Sequence, residues 1–364
     1  YLAITFNDLN LPLAAIPIGM QIQHAAAIET IEILGGKANQ IPIAVTPFDE
    51  QTLAAQKQPQ KINQIIENDL IRSGLFDILN TGGVSSYPRN VDEVNYSNWS
   101  AIQAQFLILG QVVADTKSNT MEVKWSLVDI YKQNVVLSLV LKGRPSQYRA
   151  IAHKISDTVY EKLTGTKGVF HTKIAFVKKK SKDSYALYVS DYDGFNQRAI
   201  VKSKKPIISP RWSPNGEKIA YVSFEKEKPV IYIQNLVSGQ RILLANFKGN
   251  NSAPAWSPDS KKLAIVLTYS ANSQIYLINE DGTDIKQLIR TYAINTEPAW
   301  APNGEEIFYV SDRGGSGKIY KINIKTLETK RVTYEGNNNL SPSLSPDGKL
   351  LLFISQKDRK YRVA

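Results

Sequence analysis

Two glycine- and serine-rich segments come closest to known catalytic motifs. Residues 83–87 (Gly-Val-Ser-Ser-Tyr) lack the second glycine of the G-x-S-x-G elbow, which exposes the nucleophile of many serine hydrolases. Residues 314–318 (Gly-Gly-Ser-Gly-Lys) are followed by Ile319, whereas a phosphate-binding P-loop needs Ser or Thr after its lysine. Neither segment predicts an active site, and we interpret the second as a hairpin tip.

Residues for metal and redox chemistry are scarce. The 364-residue chain contains no cysteine, which excludes disulfides, zinc–thiolate sites, iron–sulfur clusters and cysteine nucleophiles. Its three histidines, His24, His153 and His171, are too scattered to indicate a metal cluster. His153 falls on a predicted helix, where a structural or exposed role is favoured over a catalytic one. We therefore predict no catalytic residue, no metal and no cofactor.

The net charge of +11 is concentrated in the C-terminal half of the chain. Residues 1–165 contain 13 Lys+Arg and 15 Asp+Glu, whereas residues 166–364 contain 31 and 18. Because no Arg-rich helix or aromatic RNA-binding signature accompanies this charge, we interpret it as a lysine-rich surface and predict no nucleic-acid binding.

Residues 1–27 are interpreted as a leader or an N-terminal arm. The apolar stretch from Leu9 to Ile22 is interrupted by proline, glycine and asparagine and is shorter than the ~18 residues of a spanning helix, so no membrane insertion is predicted. Residues 25–27 (Ala-Ala-Ala) suit signal peptidase, but no Lys or Arg precedes Lys37. An atypical leader, a modified chain start and an ordinary arm all remain open.

Internal repeats dominate the second half of the sequence. A Pro-x-Trp-Ser-Pro-Asp-Gly-like motif recurs every 44 residues, and a tyrosine series has the same period; the marker residues are Pro210, Pro254, Pro298, Pro342, Tyr188, Tyr232, Tyr276 and Tyr320. Each repeat predicts four short strands, and four-stranded repeats of this length are typical of β-propeller blades. We predict an all-β propeller over residues 166–364, with four blades and the start of a fifth.

Two groups of repeat residues are interpreted as structural. Bulky rings at one place in three blades, Trp212, Trp256 and Trp300, predict core between blades. The turn carboxylates Asp259 and Asp347 are replaced by asparagine in the alternate repeats. Asparagine keeps the turn-forming capacity but not the acid–base capacity, so these residues predict turns.

Residues 28–165 contain no repeat and predict a separate α/β domain with a mixed sheet. Strands are expected at 41–45, 75–79, 106–114, 122–129 and 135–141, and helices at 61–73 and 145–163. Gly74 is expected to end the first helix, and residues 162–168 are expected to form a linker.

Four segments, together with the repeats, carry a family resemblance. They are residues 28–33 (Ile-Glu-Thr-Ile-Glu-Ile), 42–48 (Pro-Ile-Ala-Val-Thr-Pro-Phe), 162–168 (Lys-Leu-Thr-Gly-Thr-Lys-Gly) and 189–197 (Val-Ser-Asp-Tyr-Asp-Gly-Phe-Asn-Gln). The chain after Ala27 resembles the TolB family of the Tol-Pal envelope system. The resemblance implies a monomeric periplasmic scaffold without enzymatic activity, which supports outer-membrane integrity and envelope constriction during cell division.

The resemblance also implies partners. They are the lipoprotein Pal at the propeller mouth, the C-terminal domain of TolA at an N-terminal strand over residues 28–36, and bacteriocins that exploit the Tol system. Carried over by motif position, the Pal-like residues are Asn250, Asn251, Ser252, Ala253, Asn295, Thr296, Glu297, Asn339, Leu340 and Ser341. The TolA-like residues are Ile28, Glu29, Thr30, Ile31, Glu32 and Ile33. Small polar residues before a strand also suit a tight loop, and that alternative stays open.

The repeat count differs from the six blades that the family resemblance implies, and we expect that the sequence is an incomplete record of the propeller. A propeller domain of a serine peptidase, with its hydrolase domain outside the sequence, is the alternative function. The sequence beyond Ala364 would discriminate, because two more repeats favour the binding scaffold and a G-x-S-x-G elbow favours the peptidase. A propeller that binds an ion or small ligand in its channel is a third interpretation.

Overall fold

The computed structural model describes residues 2–3, 40–48, 61–115, 117–269 and 272–364. These residues belong to two compact units. One unit spans Pro12–His171, and the other contains Thr172–Ala364 together with strand β1 (Leu2–Ala3). Among the described helices, none has the length and apolarity that a membrane span requires.

The first unit is built on a five-stranded mixed sheet. Its strands are β2 (Ile41–Val45), β3 (Phe76–Ile78), β4 (Phe106–Asp115), β5 (Thr120–Asp129) and β6 (Asn134–Gly143). The order in the sheet is β3-β2-β4-β5-β6, in which β2 is parallel to both neighbours and the β4-β5-β6 ladders are antiparallel. The predicted mixed sheet is confirmed.

Among the described residues, three α-helices accompany this sheet: α1 (Ile62–Ser73), α2 (Tyr96–Ala101) and α3 (Tyr148–Thr164). Helix α1 ends at Gly74, which adopts φ 74°, as the sequence predicts. The predicted helix over 145–163 begins with a 3-10 turn at Pro145–Gln147, and α2 was not predicted. Its six residues are too few for the helical period to stand out.

The second unit is a β-propeller with five blades. Its strands are β7 (Lys173–Ser181), β8 (Ser184–Asp191), β9 (Arg198–Ser203), β10 (Ile207–Trp212), β11 (Lys218–Ser223), β12 (Val230–Asn235), β13 (Arg241–Ala245), β14 (Asn251–Trp256), β15 (Lys262–Leu267), β16 (Gln274–Asn279), β17 (Lys286–Gln287), β18 (Asn295–Trp300), β19 (Glu306–Ser311), β20 (Lys318–Asn323), β21 (Thr329–Arg331), β22 (Asn338–Leu344), β23 (Leu351–Lys357) and β24 (Lys360–Val363). The five sheets are β1-β7-β8-β9, β10–β13, β14–β17, β18–β21 and the three-stranded β22–β24. This matches the predicted four blades and start of a fifth.

Each blade is an antiparallel meander, so its loops fall at two edges. In the third blade Asn251, which begins β14, pairs with Leu267 at the end of β15, and Leu267 pairs with Gln274 at the start of β16. We call this the mouth edge. It contains the connections into each inner strand and the turns between second and third strands; the remaining turns lie at the opposite edge.

The core forms between neighbouring blades. Central strands are apolar on both faces, as in Leu263–Leu267, and each face packs against the next sheet. Trp256 is buried between the second and third blades, and Trp212 and Trp300 pack against the two neighbouring interfaces. The prediction that these rings form core is confirmed.

Candidate partner-binding surface

The predicted Pal-like residues lie where the inner strands of the third, fourth and fifth blades begin. We call residues 250–253, 295–297 and 339–341 the opening segments. Asn250 and Ser341 are exposed, whereas Ser252, Ala253, Thr296, Glu297 and Leu340 are half-buried. Asn251, Asn295 and Asn339 are buried, which the sequence did not indicate. The surface therefore consists of exposed and half-buried positions that lie beside buried asparagines.

The inner strands of the second to fifth blades contain the same bulge at this point. Ser209, Ala253, Glu297 and Ser341 adopt φ of 52°, 49°, 53° and 54°, and the ladder register shifts beside each of them. A left-handed conformation is unusual for residues other than glycine and is retained only when the surroundings enforce it. A β-bulge bends its strand and redirects the adjacent side chains. The repeated bulge thus gives each opening segment the same backbone shape.

Asn251 fixes the loop that precedes the third blade. Its side-chain Nδ2 lies 3.1, 2.9 and 3.2 Å from the carbonyl oxygens of Pro229, Phe247 and Gly249, and Phe247 N donates to its Oδ1 at 2.8 Å. A buried amide with all its polar atoms bonded holds a loop that has no ladder of its own. Asn251 therefore positions its exposed neighbour Asn250.

Asn295 belongs to a larger buried network. Its Nδ2 donates to Gln274 Oε1 at 3.1 Å and to Thr291 Oγ1 at 2.8 Å, and its Oδ1 accepts from the Arg313 guanidinium at 3.2 Å. Gln274 in turn donates to the carbonyls of Thr291 and Ala293 at 2.9 and 2.8 Å. The loop before the fourth blade is thereby tied to the neighbouring hairpin.

Asn339 has a poorer set of partners. Its Nδ2 donates to Glu335 O at 2.9 Å, but its buried Oδ1 has no hydrogen-bond partner among the described residues. Lys318 occupies the position that Gln274 has in the previous blade, and its Nζ donates to the carbonyl oxygens of Glu335 and Gly336. Burial, followed by the nearby Arg331 cation, lowers the pKa of Lys318. Lys318 therefore fixes the loop at residues 335 and 336 that precedes the fifth opening segment.

Glu297 connects two opening segments. Its Oε2 accepts a hydrogen bond from Ser341 N, 44 positions further along the chain, at 2.5 Å. Desolvation lowers the pKa of Arg211 on the second inner strand, and the Glu297 carboxylate opposes that shift. Glu297 therefore interacts with residues of two other blades, and its half-buried carboxylate helps to hold the inner strands together.

The opposite edge is built from the repeat turns. Ser257 Oγ donates to Asp259 Oδ1 at 2.6 Å, and Ser213 Oγ makes the same 2.6 Å bond to Asn215. Because asparagine and aspartate serve equally, the interpretation of these positions as turns is supported. The Ser257 hydroxyl and the Lys261 N–H lower the pKa of Asp259. A cavity of about 490 Å³ lies beside these turns.

The tryptophan rings carry hydrogen bonds between blades. Trp256 Nε1 donates to Arg211 O at 3.1 Å, and Trp300 Nε1 donates to Ala255 O at 3.1 Å. Trp212 Nε1 is buried and has no such partner among the described residues. Trp256 and Trp300 thus fix the inner strands of the third and fourth blades against the inner strands that precede them.

His153 has a structural environment within the first unit. It is buried on α3, where its Nδ1 lies 2.8 Å from Asp69 Oδ2 on α1, and its Nε2 lies 3.4 Å from the Arg149 guanidinium. The Asp69 contact spans 84 residues, so no sequence pattern could reveal it. The contact links two helices, consistent with the structural role predicted for His153.

The structure does not describe the predicted TolA-like strand, and it shows supporting residues that were not predicted. The TolA-like strand over residues 28–33 lies outside the described residues. Sequence reasoning missed the supporting residues Gln274, Arg313 and Lys318. Gln274 and Lys318 are 44 positions apart, and this match to the repeat spacing is the signal that could have identified them.

Both units of the chain match models of known protein families. Residues 160–364 match the model of the TolB beta propeller domain, and residues 29–136 match that of the TolB amino-terminal domain. The chain belongs to the TolB family. A TolB crystal structure from Acinetobacter baumannii superimposes with a TM-score of 0.78 at 32% identity, covering 89% of this chain and 79% of that one.

Two relatives named Tol-Pal system protein TolB extend this comparison. The Methylobacillus flagellatus protein is 53% identical over 238 residues, which are 65% of this chain and 54% of that protein. The Nitrosomonas europaea protein is 45% identical over 234 residues, 64% of this chain and 53% of that protein. The chain thus spans about half the length of these TolB relatives. These matches favour TolB over the peptidase alternative.

Proposed function

We propose that this protein is a periplasmic scaffold of the Tol-Pal system that binds Pal at the opening segments and acts by binding, without catalysis. In this role it supports outer-membrane integrity and envelope constriction during cell division. The observation that carries the proposal is the repetition of one bulged backbone in successive inner strands, with exposed or half-buried small residues at one edge. Such a row of similar, rigidly held positions suits a macromolecular partner better than a small ligand.

Thr296 offers the sharpest test of this surface. It is half-buried in the fourth opening segment, directly between Asn295 and Glu297. Thr296→Trp places a large ring where the partner must approach, and we expect Pal affinity to fall at least about tenfold. Val237→Trp is the matched control, because Val237 lies in an opposite-edge turn and is 81% exposed.

Isothermal titration calorimetry with purified Pal measures both variants, and circular dichroism checks their folding. Weaker binding by Thr296→Trp alone supports the mouth surface. If both folded variants bind Pal as tightly as the parent protein does, the opening segments are not the Pal-binding surface.

We further propose that residues 28–33 bind the C-terminal domain of TolA by adding a strand to its sheet. The support is the family membership and the short isoleucine-containing segment, since edge pairing needs only an extended backbone and alternating side-chain pockets. Deletion of residues 28–36 should abolish TolA binding and leave Pal binding intact. Retained TolA binding by the deletion variant would refute this second contact.

A further inference from the structure

The loops at the two edges of the propeller differ in charge. Between the strand bounds, the mouth-edge loops contain nine Lys or Arg and six Asp or Glu, whereas the opposite-edge loops contain three and nine. The mouth-edge loops are therefore net basic, and the opposite-edge loops are net acidic.

The largest local excess of positive charge lies on the first blade. Lys179, Lys182, Lys202 and Lys204, which we call the lysine cluster, are all exposed at the mouth-edge ends of β7, β8 and β9. Lys179 pairs in register with Tyr185, and Tyr185 pairs with Ser203, which lies between Lys202 and Lys204. Because paired residues share a face and successive residues alternate, Lys202 lies on the opposite face of the sheet from Lys179. Adjacent strands are about 4.8 Å apart, so the cluster spans little more than two strand spacings.

The lysines of this cluster have no acidic partner among the described residues, although Lys179 Nζ lies 5.7 Å from the centroid of the Tyr185 ring. None of the four lysines forms an ion pair with any residue that the structure describes, whereas the neighbouring Lys205 pairs with Glu227 at 3.2 Å. Like charges at one edge of the same blade repel one another, and a bound anion relieves that repulsion. The approach of carboxylates therefore lowers the electrostatic free energy of this surface.

We propose that the lysine cluster is an electrostatic docking surface for an acidic patch on the protein partner that occupies the opening segments. This inference rests on the proposed function, because it takes that partner to be Pal. The cluster lies on the first blade and the opening segments lie on the third to fifth blades, all at the mouth edge, so a partner that covers this edge of the propeller can contact both. Clustered exposed charge of this kind raises the association rate more than it slows dissociation.

The charge pattern favours a protein partner over a membrane. A bilayer presents a nearly uniform negative surface, which would bring the mouth-edge carboxylates Asp183, Glu225 and Glu227 against like charge. A protein can meet the lysines with carboxylates and the carboxylates with its own cations. The alternation of a lysine cluster with acidic turns suits the second case.

The test compares two quadruple variants with the same change in net charge. The cluster variant is Lys179→Gln, Lys182→Gln, Lys202→Gln and Lys204→Gln. The control variant is Lys261→Gln, Lys286→Gln, Lys325→Gln and Lys349→Gln, whose lysines are exposed at the opposite edge. In stopped-flow mixing with Pal at 50 mM NaCl, we expect the cluster variant to associate about tenfold more slowly, and the control within about twofold of the parent. At 500 mM NaCl the three rates should converge.

Poly-L-glutamate serves as a second probe, so that failure of the inference differs from failure of the proposed function. Selective loss of polyglutamate binding by the cluster variant supports the docking surface, whether or not the parent chain binds Pal. Failure of the parent chain to bind Pal would refute the proposed function. Equal effects of both variants on Pal association or on polyglutamate binding would overturn the inference. Unchanged Pal association, with loss of binding to phosphatidylglycerol vesicles, would overturn it in favour of a membrane surface.

Discussion

Replacing the buried asparagines of the opening segments should have unequal effects, although the three residues occupy one repeat position. Asn295 is bonded through both its Nδ2 and its Oδ1, whereas Asn339 is bonded only through Nδ2. Asn295→Ala removes a residue on which the loop before the fourth blade depends. Asn339→Ala removes one hydrogen bond and also an oxygen that had no partner.

The magnitudes follow from these contacts. A typical intramolecular hydrogen bond contributes about 1 kcal/mol, and a buried group left unpaired costs about 1–3 kcal/mol. Asn295→Ala loses the bonds to Gln274, Thr291 and Arg313, so we expect local opening of residues 288–297 to become easier by about 3 kcal/mol. For Asn339→Ala, loss of the unpaired oxygen offsets the lost bond, and we expect at most about 1 kcal/mol.

Amide hydrogen exchange followed by mass spectrometry measures this difference directly. Exchange in residues 288–297 of Asn295→Ala should accelerate about 30-fold more than exchange in residues 332–341 of Asn339→Ala, since about 2 kcal/mol separates the two effects. Each variant also serves as a control for the other loop. Equal acceleration in both, or acceleration spread over the entire propeller, would refute the assignment of the asparagines as local supports.

Three further predictions concern the scaffold. Trp300→Phe removes an inter-blade hydrogen bond and should lower the unfolding free energy in urea by about 1 kcal/mol more than Trp212→Phe, whose ring has no such bond to lose; equal losses would contradict this. Because its pKa is lowered in the folded state, Asp259 contributes stability that is present above its unfolded pKa of about 3.9 and is lost as the pH falls through its folded pKa. The stability difference between the parent and Asp259→Asn in acid titrations should therefore shrink below about pH 4, and a difference independent of pH would refute that cause. Gly110→Ala places a methyl group against the Phe48 ring and the Lys124 carbonyl oxygen and should lower the melting temperature of the first unit. Gly83→Ala, with no neighbouring atom within 4 Å, should leave that temperature unchanged, and similar melting temperatures of the two variants would contradict the packing argument.

Much of the propeller could be predicted from the sequence because its motifs and apolar strands repeat at a fixed spacing. The spacing of Pro210, Pro254, Pro298 and Pro342 predicts the blade count, and apolar runs such as 263–267 predict strands covered on both faces. In the first unit, long strands and amphipathic helices were predicted for the same reason. Helix α2 was missed, because one and a half turns show no period.

The surface was predicted less completely, because side-chain burial depends on contacts distant in sequence. Asn251, Asn295 and Asn339 lie at the starts of the inner strands and resemble exposed loop residues in the sequence, yet their partners lie up to 22 positions away. The link from Glu297 to Ser341 spans a whole blade. The charge difference between edges likewise required the strand bounds, since mouth-edge and opposite-edge loops alternate along the chain.

The central claim is that Pal occupies the opening segments, and the most direct test is hydrogen exchange of the full chain with and without saturating Pal. The account predicts slower exchange in residues 250–253, 295–297 and 339–341, together with the lysine cluster. It predicts unchanged exchange in the opposite-edge turns at 257–261, 301–305 and 345–350. Protection of those turns, with none in the opening segments, would contradict the account.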